Sequence, residues 1–100
     1  MQSVNRVELT ARMNRTEPLR HTPAGIPVLH FTLEHESQVQ EAGAPRKVTL
    51  ELQAVALGDL AQSLAQADNG IQIEATGFLA PQRQGSDRLV LHLQQIAQAQ

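Results

Sequence analysis

Val48-Thr49-Leu50-Glu51-Leu52-Gln53-Ala54-Val55-Ala56-Leu57-Gly58-Asp59-Leu60-Ala61-Gln62-Ser63-Leu64-Ala65 changes its hydrophobic period part-way along. Val48, Leu50, Leu52, Ala54 and Ala56 alternate with Thr49, Glu51 and Gln53, the period-two pattern of a strand with one buried face. After Gly58 the apolar residues Leu60, Ala61, Leu64 and Ala65 fall at three-to-four spacing, which suits a short helix with Asp59 near its N-cap. The stretch predicts a long strand leading into a short helix that ends before Asn69-Gly70.

Toward the N-terminus, Val7, Leu9, Ala11 and Met13 alternate with Glu8, Thr10 and Arg12 as a first strand. Thr22-Pro23-Ala24-Gly25 has the Pro and Gly of a tight turn, and Leu29, Phe31 and Leu33 then form one face of a second strand opposite His30, Thr32 and Glu34. Glu41-Ala42-Gly43-Ala44-Pro45 reads as a loop before the long third strand. Toward the C-terminus, Ile71, Ile73, Ala75 and Leu79 mark a fourth strand, with Gly77 allowing a bend or bulge. Pro81 to Asp87 is a polar loop, Leu89, Leu91 and Leu93 a fifth strand, and Gln98-Ala99-Gln100 a frayed tail.

Three strands, a short helix and two strands is the element order of an OB-fold. The expected class is therefore all-β with one short helix, a five-stranded Greek-key barrel occupying residues 1–100 as a single domain. Such barrels commonly bind oligonucleotides on the second and third strands and the adjoining loops.

The chain has 100 residues, of which 41% are hydrophobic, enough for one core. It has no cysteine, which excludes a disulfide framework, a thiolate metal site and a cysteine nucleophile. Met1 to Arg6 lacks the apolar run of a secretory signal, and no stretch approaches the roughly 20 apolar residues of a membrane span, so a cytoplasmic location with no membrane contact is expected. The net charge of -2 argues against strong nonspecific attraction to polyanions.

The cations are nonetheless grouped. Arg20 with His21, Arg46 with Lys47, and Arg83 with Arg88 are expected at the rim of the binding face, on the loops after the first, second and fourth strands. There they would contact the phosphates of a bound oligonucleotide. His30 alternates outward on the second strand and offers a ring that can stack on a base. His21, His30, His35 and His92 show no pair at helical ligand spacing, so no metal or other cofactor is expected. Glu34-His35-Glu36 lacks a positioned nucleophile and reads as a solvated strand end, and no catalytic residue is assigned. Phe31 shares alternation with Leu29 and Leu33 and belongs to the core. Phe78 follows Gly77 on the face opposite Leu79, where a binding surface or a subunit contact are both open.

Asn5-Arg6-Val7-Glu8-Leu9, Pro18 to Pro27, Phe31-Thr32-Leu33-Glu34-His35, Gln40 to Gly43, Gly77-Phe78 and Leu89 to Ile96 together resemble the primosomal replication protein N (PriB) family over nearly the whole chain. The resemblance implies a homodimeric OB-fold related to bacterial single-stranded DNA-binding proteins. Its members are not enzymes. They bind single-stranded DNA and the primosomal helicase PriA, in some cases with a further loading protein, and help reload the replication machinery at stalled forks. Arg20 matches a basic position of the enteric members, and Arg83 and Arg88 fall in or beside their lysine-bearing loop. Ala44 and Thr49 stand where those members carry a Phe and a stacking Trp, and Glu36 where they carry a base. Two other readings are weighed: an interaction adaptor with little DNA binding, and a general single-stranded DNA-binding protein. The second is disfavoured because the chain has no Trp or Tyr and ends without an acidic tail.

Overall fold

In a computed structural model, which describes residues 2–98, alternation along each strand becomes a closed wall. The elements are β1 (Val7–Asn14), β2 (Arg20–His21), β3 (Pro27–Glu41), β4 (Ala44–Leu57), α1 (Asp59–Ala65), β5 (Gln72–Pro81) and β6 (Leu89–Gln98). The strand order is β1-β5-β6-β4-β3-β2, and an additional β1–β3 pairing closes five of the strands into a barrel. All neighbours are antiparallel except β4 and β6, which run parallel through Ala54↔Leu91 and Val55↔His92. This is the OB-fold with its single short helix. Two-residue β2 is an addition, pairing Arg20 with Val28 and His21 with Pro27 on the edge of β3.

The inward residues of every long strand meet in one core: Ala11 and Met13, Leu29, Phe31 and Leu33, Ala54 and Ala56, Ile73 and Ala75, and Leu91 and Leu93. Helix α1 packs on β3 and β4 and contributes Ala61 and Leu64. Its N-cap is Gly58, whose φ of 73° directs the chain out of β4 while its N–H donates to the Pro27 carbonyl. Asp59, expected near the cap, is the first helical residue and makes no capping hydrogen bond. There its carboxylate still faces the positive end of the helix dipole.

At Gly77 any side chain would force the backbone to shift. A Cβ there would lie 2.0 Å from the His92 carbonyl oxygen, where β5 and β6 shift register between Thr76 and Gly77. The expected bulge thus lets the sheet curve by bringing two backbones together.

Two sequence expectations are corrected. Residues 41–45 are not a loop: Ala42 and Gly43, at φ 53° and 80°, make a two-residue hairpin turn of type I′, and β3 and β4 pair right up to Glu41↔Ala44. Alanine rarely adopts positive φ, so Ala42-Gly43 lacks the Asn-Gly or Asp-Gly signature of such a turn. Gln98 is not frayed but pairs with Ile73 as the last residue of β6, while Ala99 and Gln100 lie outside the described residues.

Beyond His35 and before Leu50, β3 and β4 pair only with each other and project as an arm. The radius of gyration, 14.6 Å with extents of 50 × 37 × 22 Å, exceeds the ~13 Å of a spherical 100-residue domain. The arm accounts for the elongation.

Candidate nucleic-acid interface

Where β1 leaves β3 a fork opens. β1 pairs with β3 only through Arg12↔Glu34, Met13↔Leu33 and Asn14↔Thr32, whereas residues 7–12 pair with β5. A groove of about 590 Å³ runs along the fork and onto the outward face of β3 and β4. Since cross-strand partners share a face, that face carries Arg12, Asn14, Glu34, Glu36, Thr49 and Glu51. His35 spans the fork: its Nδ1–H donates to the Thr10 carbonyl at 2.7 Å, and in the neutral ring Nε2 accepts from the Ser37 hydroxyl at 2.8 Å.

The groove is electrically mixed. Glu34 and Glu51 stand directly opposite each other, a destabilising like-charge pair. Asn14 donates to Glu34, and the Arg15 guanidinium lies 2.9 Å from Glu51. Lys47 lies 3.5 Å from Glu36. Arg12 lines the groove with no carboxylate within ion-pair distance among the described residues.

The residues singled out from the sequence are distributed over three places. Arg20 and His21 are exposed on β2 rather than on a free loop, with Arg20 2.7 Å from Glu17. Arg46 and Lys47 lie within β4, not on a loop. They point to opposite sides of the arm: Lys47 pairs across with Gln38 and shares the groove face, while Arg46 pairs with Val39 and lies 2.6 Å from Glu41. Arg83 and Arg88 flank the β5–β6 connection as expected, exposed and without a carboxylate partner among the described residues. That connection is a compact turn held by Ser86 N–H to the Arg83 carbonyl and Gln82 N–H to the Arg88 carbonyl. His30 is half-buried on β3, facing outward beside Val55.

Of the eight Lys and Arg side chains, five are engaged by carboxylates, and Arg12, Arg83 and Arg88 have no such partner among the described residues. Arg12 was not singled out from the sequence. Its outward place on the first strand was legible, but the fork that makes a groove beside it comes from the long-range pairing of β1.

A family model described as "Another single-strand binding protein family" matches residues 5–95. The replication restart protein PriB of Bordetella pertussis is 52% identical over 92 residues, covering 92% of this chain and 86% of that one. The PriB of Nitrosomonas europaea is 35% identical over 89 residues, covering 89% of this chain and 82% of its own. Among solved structures, PriB from Ralstonia solanacearum superimposes with a TM-score of 0.90 at 30% identity, covering 98% of this chain and all of that one. A single-stranded DNA-binding protein of Thermus aquaticus, at 21% identity and TM-score 0.76, covers 97% of this chain and 51% of that one and shares the fold. With its closed barrel and near full-length matches, the chain belongs to the PriB replication restart proteins of the single-strand binding protein family.

Proposed function

We propose that this protein is a non-catalytic, cytoplasmic accessory factor of replication restart that binds single-stranded DNA and the helicase PriA and acts as a homodimer. The observation that carries the DNA-binding part is the set of unpaired cations: Arg12 in the groove, and Arg83 and Arg88 on the β5–β6 connection. Phosphate contacts rest on such groups. Arg20, His21 and His30 extend the site around the barrel and Lys47 extends it along the arm, and the exposed ion pairs of Arg20 and Lys47 are weak enough to be exchanged for phosphate. Arg46 is the least suited member, because it faces the other side of the arm.

Dimerisation is supported by the edge of β1. Between Val7 and Ala11 that strand pairs with β5 on one side only, and an open strand edge invites a second copy.

The adaptor reading with little DNA binding is favoured by Glu34, Glu36 and Glu51 on the groove face and by Ala44 and Thr49 in place of aromatics. Fluorescence anisotropy of a labelled oligo-dT, titrated at low and near-physiological salt with PriA added afterwards, separates the two. The proposed function requires binding that weakens as salt rises, with a slope of roughly -0.7 per phosphate neutralised. PriA capture without any oligonucleotide binding would leave the adaptor.

A further inference from the structure

On the barrel wall below the groove, the outward face changes character. Register places His30 beside Val55, Val55 beside His92, and His92 beside Phe78, one row crossing β3, β4, β6 and β5. Phe78 and His92 stack with ring centroids 5.0 Å apart and planes inclined by 11°. Both rings are half-exposed, Val55 is buried among its neighbours, and Leu57, one step further along the same face of β4, is 47% exposed. Outward faces of a soluble barrel are ordinarily polar, as this one is around Glu34 and Glu51. Two partly exposed rings stacked there depart from that pattern. The chain has two Phe and neither Trp nor Tyr, and while Phe31 fills the core, Phe78 is held at the surface.

We propose that the stacked Phe78–His92 pair is a base-stacking element of the single-strand site, taking an unpaired base against the ring faces the two residues turn away from each other. The inference rests on the DNA-binding reading above. It also answers the loss of aromatics at positions 44 and 49, since the platform lies on β5 and β6 rather than on the arm. Every base offers a π-face, so such an element is tolerant of sequence. His30 lies two strand spacings further along the row, about 10 Å away across the buried Val55. Arg88 lies four residues before His92, about 13 Å along the strand, and places an unpaired cation within reach of the phosphates of a base stacked there.

The test uses the full chain and a dT oligomer carrying one 2-aminopurine, whose fluorescence is read without Trp or Tyr background. His92→Leu and Phe78→Leu are each expected to weaken binding about tenfold and to abolish the stacking-induced fluorescence change. The salt slope should stay unchanged, because no phosphate contact is removed. His92→Phe restores both affinity and signal, and carries the test even if Phe78→Leu fails to fold. An abasic strand should bind the wild type and His92→Leu alike. If folded His92→Leu binds the base-bearing oligomer as tightly as wild type, the pair is only a cross-strand contact of the sheet and this inference is overturned while DNA binding stands. If the wild type binds no oligomer even at low salt, the DNA-binding reading falls and this one with it.

Discussion

Glu34 and Glu51 face each other directly across β3 and β4, like charges on one face of the sheet, tempered by Asn14 on one side and Arg15 on the other. Replacing Glu34 with Gln keeps an acceptor for Asn14 and removes the repulsion. Glu34→Gln is expected to gain about 0.5 kcal/mol in denaturant unfolding. It should also tighten oligo-dT binding at low salt, since the groove loses a negative charge.

Lys47 and Arg46 are neighbours in sequence on opposite sides of the arm. With DNA following the groove, Lys47→Glu weakens oligonucleotide binding and lowers the salt slope by roughly 0.7, whereas Arg46→Glu leaves both near wild type. Equal losses from the two single variants, read by anisotropy, would show that the strand wraps the arm.

Asn5 clamps Leu79 from both directions: its Nδ2 donates to the Leu79 carbonyl at 2.7 Å and its Oδ1 accepts the Leu79 N–H at 2.9 Å. The side chain continues the β1–β5 ladder two residues beyond Val7↔Gly77. Asn5→Ala should cost about 1 kcal/mol, lowering Tm by roughly 4–8 °C. Hydrogen exchange at the Leu79 amide should accelerate more than at Ala75.

Ala42 holds a positive φ at the first central position of the hairpin turn, where Asn is the better residue. Ala42→Asn is expected to stabilise the arm by about 0.5–1 kcal/mol, read as a higher Tm with unchanged oligonucleotide affinity.

Gly77→Ala would drive a methyl into the His92 carbonyl, a backbone atom that cannot swing aside. A loss of roughly 3 kcal/mol is expected, measured by urea unfolding, with the register shift of β5 on β6 as the affected element.

Local chemistry settled much of this protein. Alternation in residues 7–13, 29–33, 48–56 and 89–93, together with the change of period after Gly58, was enough for the long strands, the helix and the faces that line the core, but Leu50 and Leu89, which share those faces by period, are 38% and 50% exposed. Period two assigns side chains to faces without any knowledge of partners. Gly77 announced the bulge for the same reason, since only glycine tolerates such an approach. Tertiary structure alone decided which outward faces meet. Arg46 and Lys47 could be seen to alternate, but which side of the arm borders the groove follows from β1 leaving β3 at Arg12. Likewise His30, Val55, His92 and Phe78 become one row only through three separate strand registers, one of them parallel. Register between distant strands is set by how the whole barrel closes, and no local period encodes it.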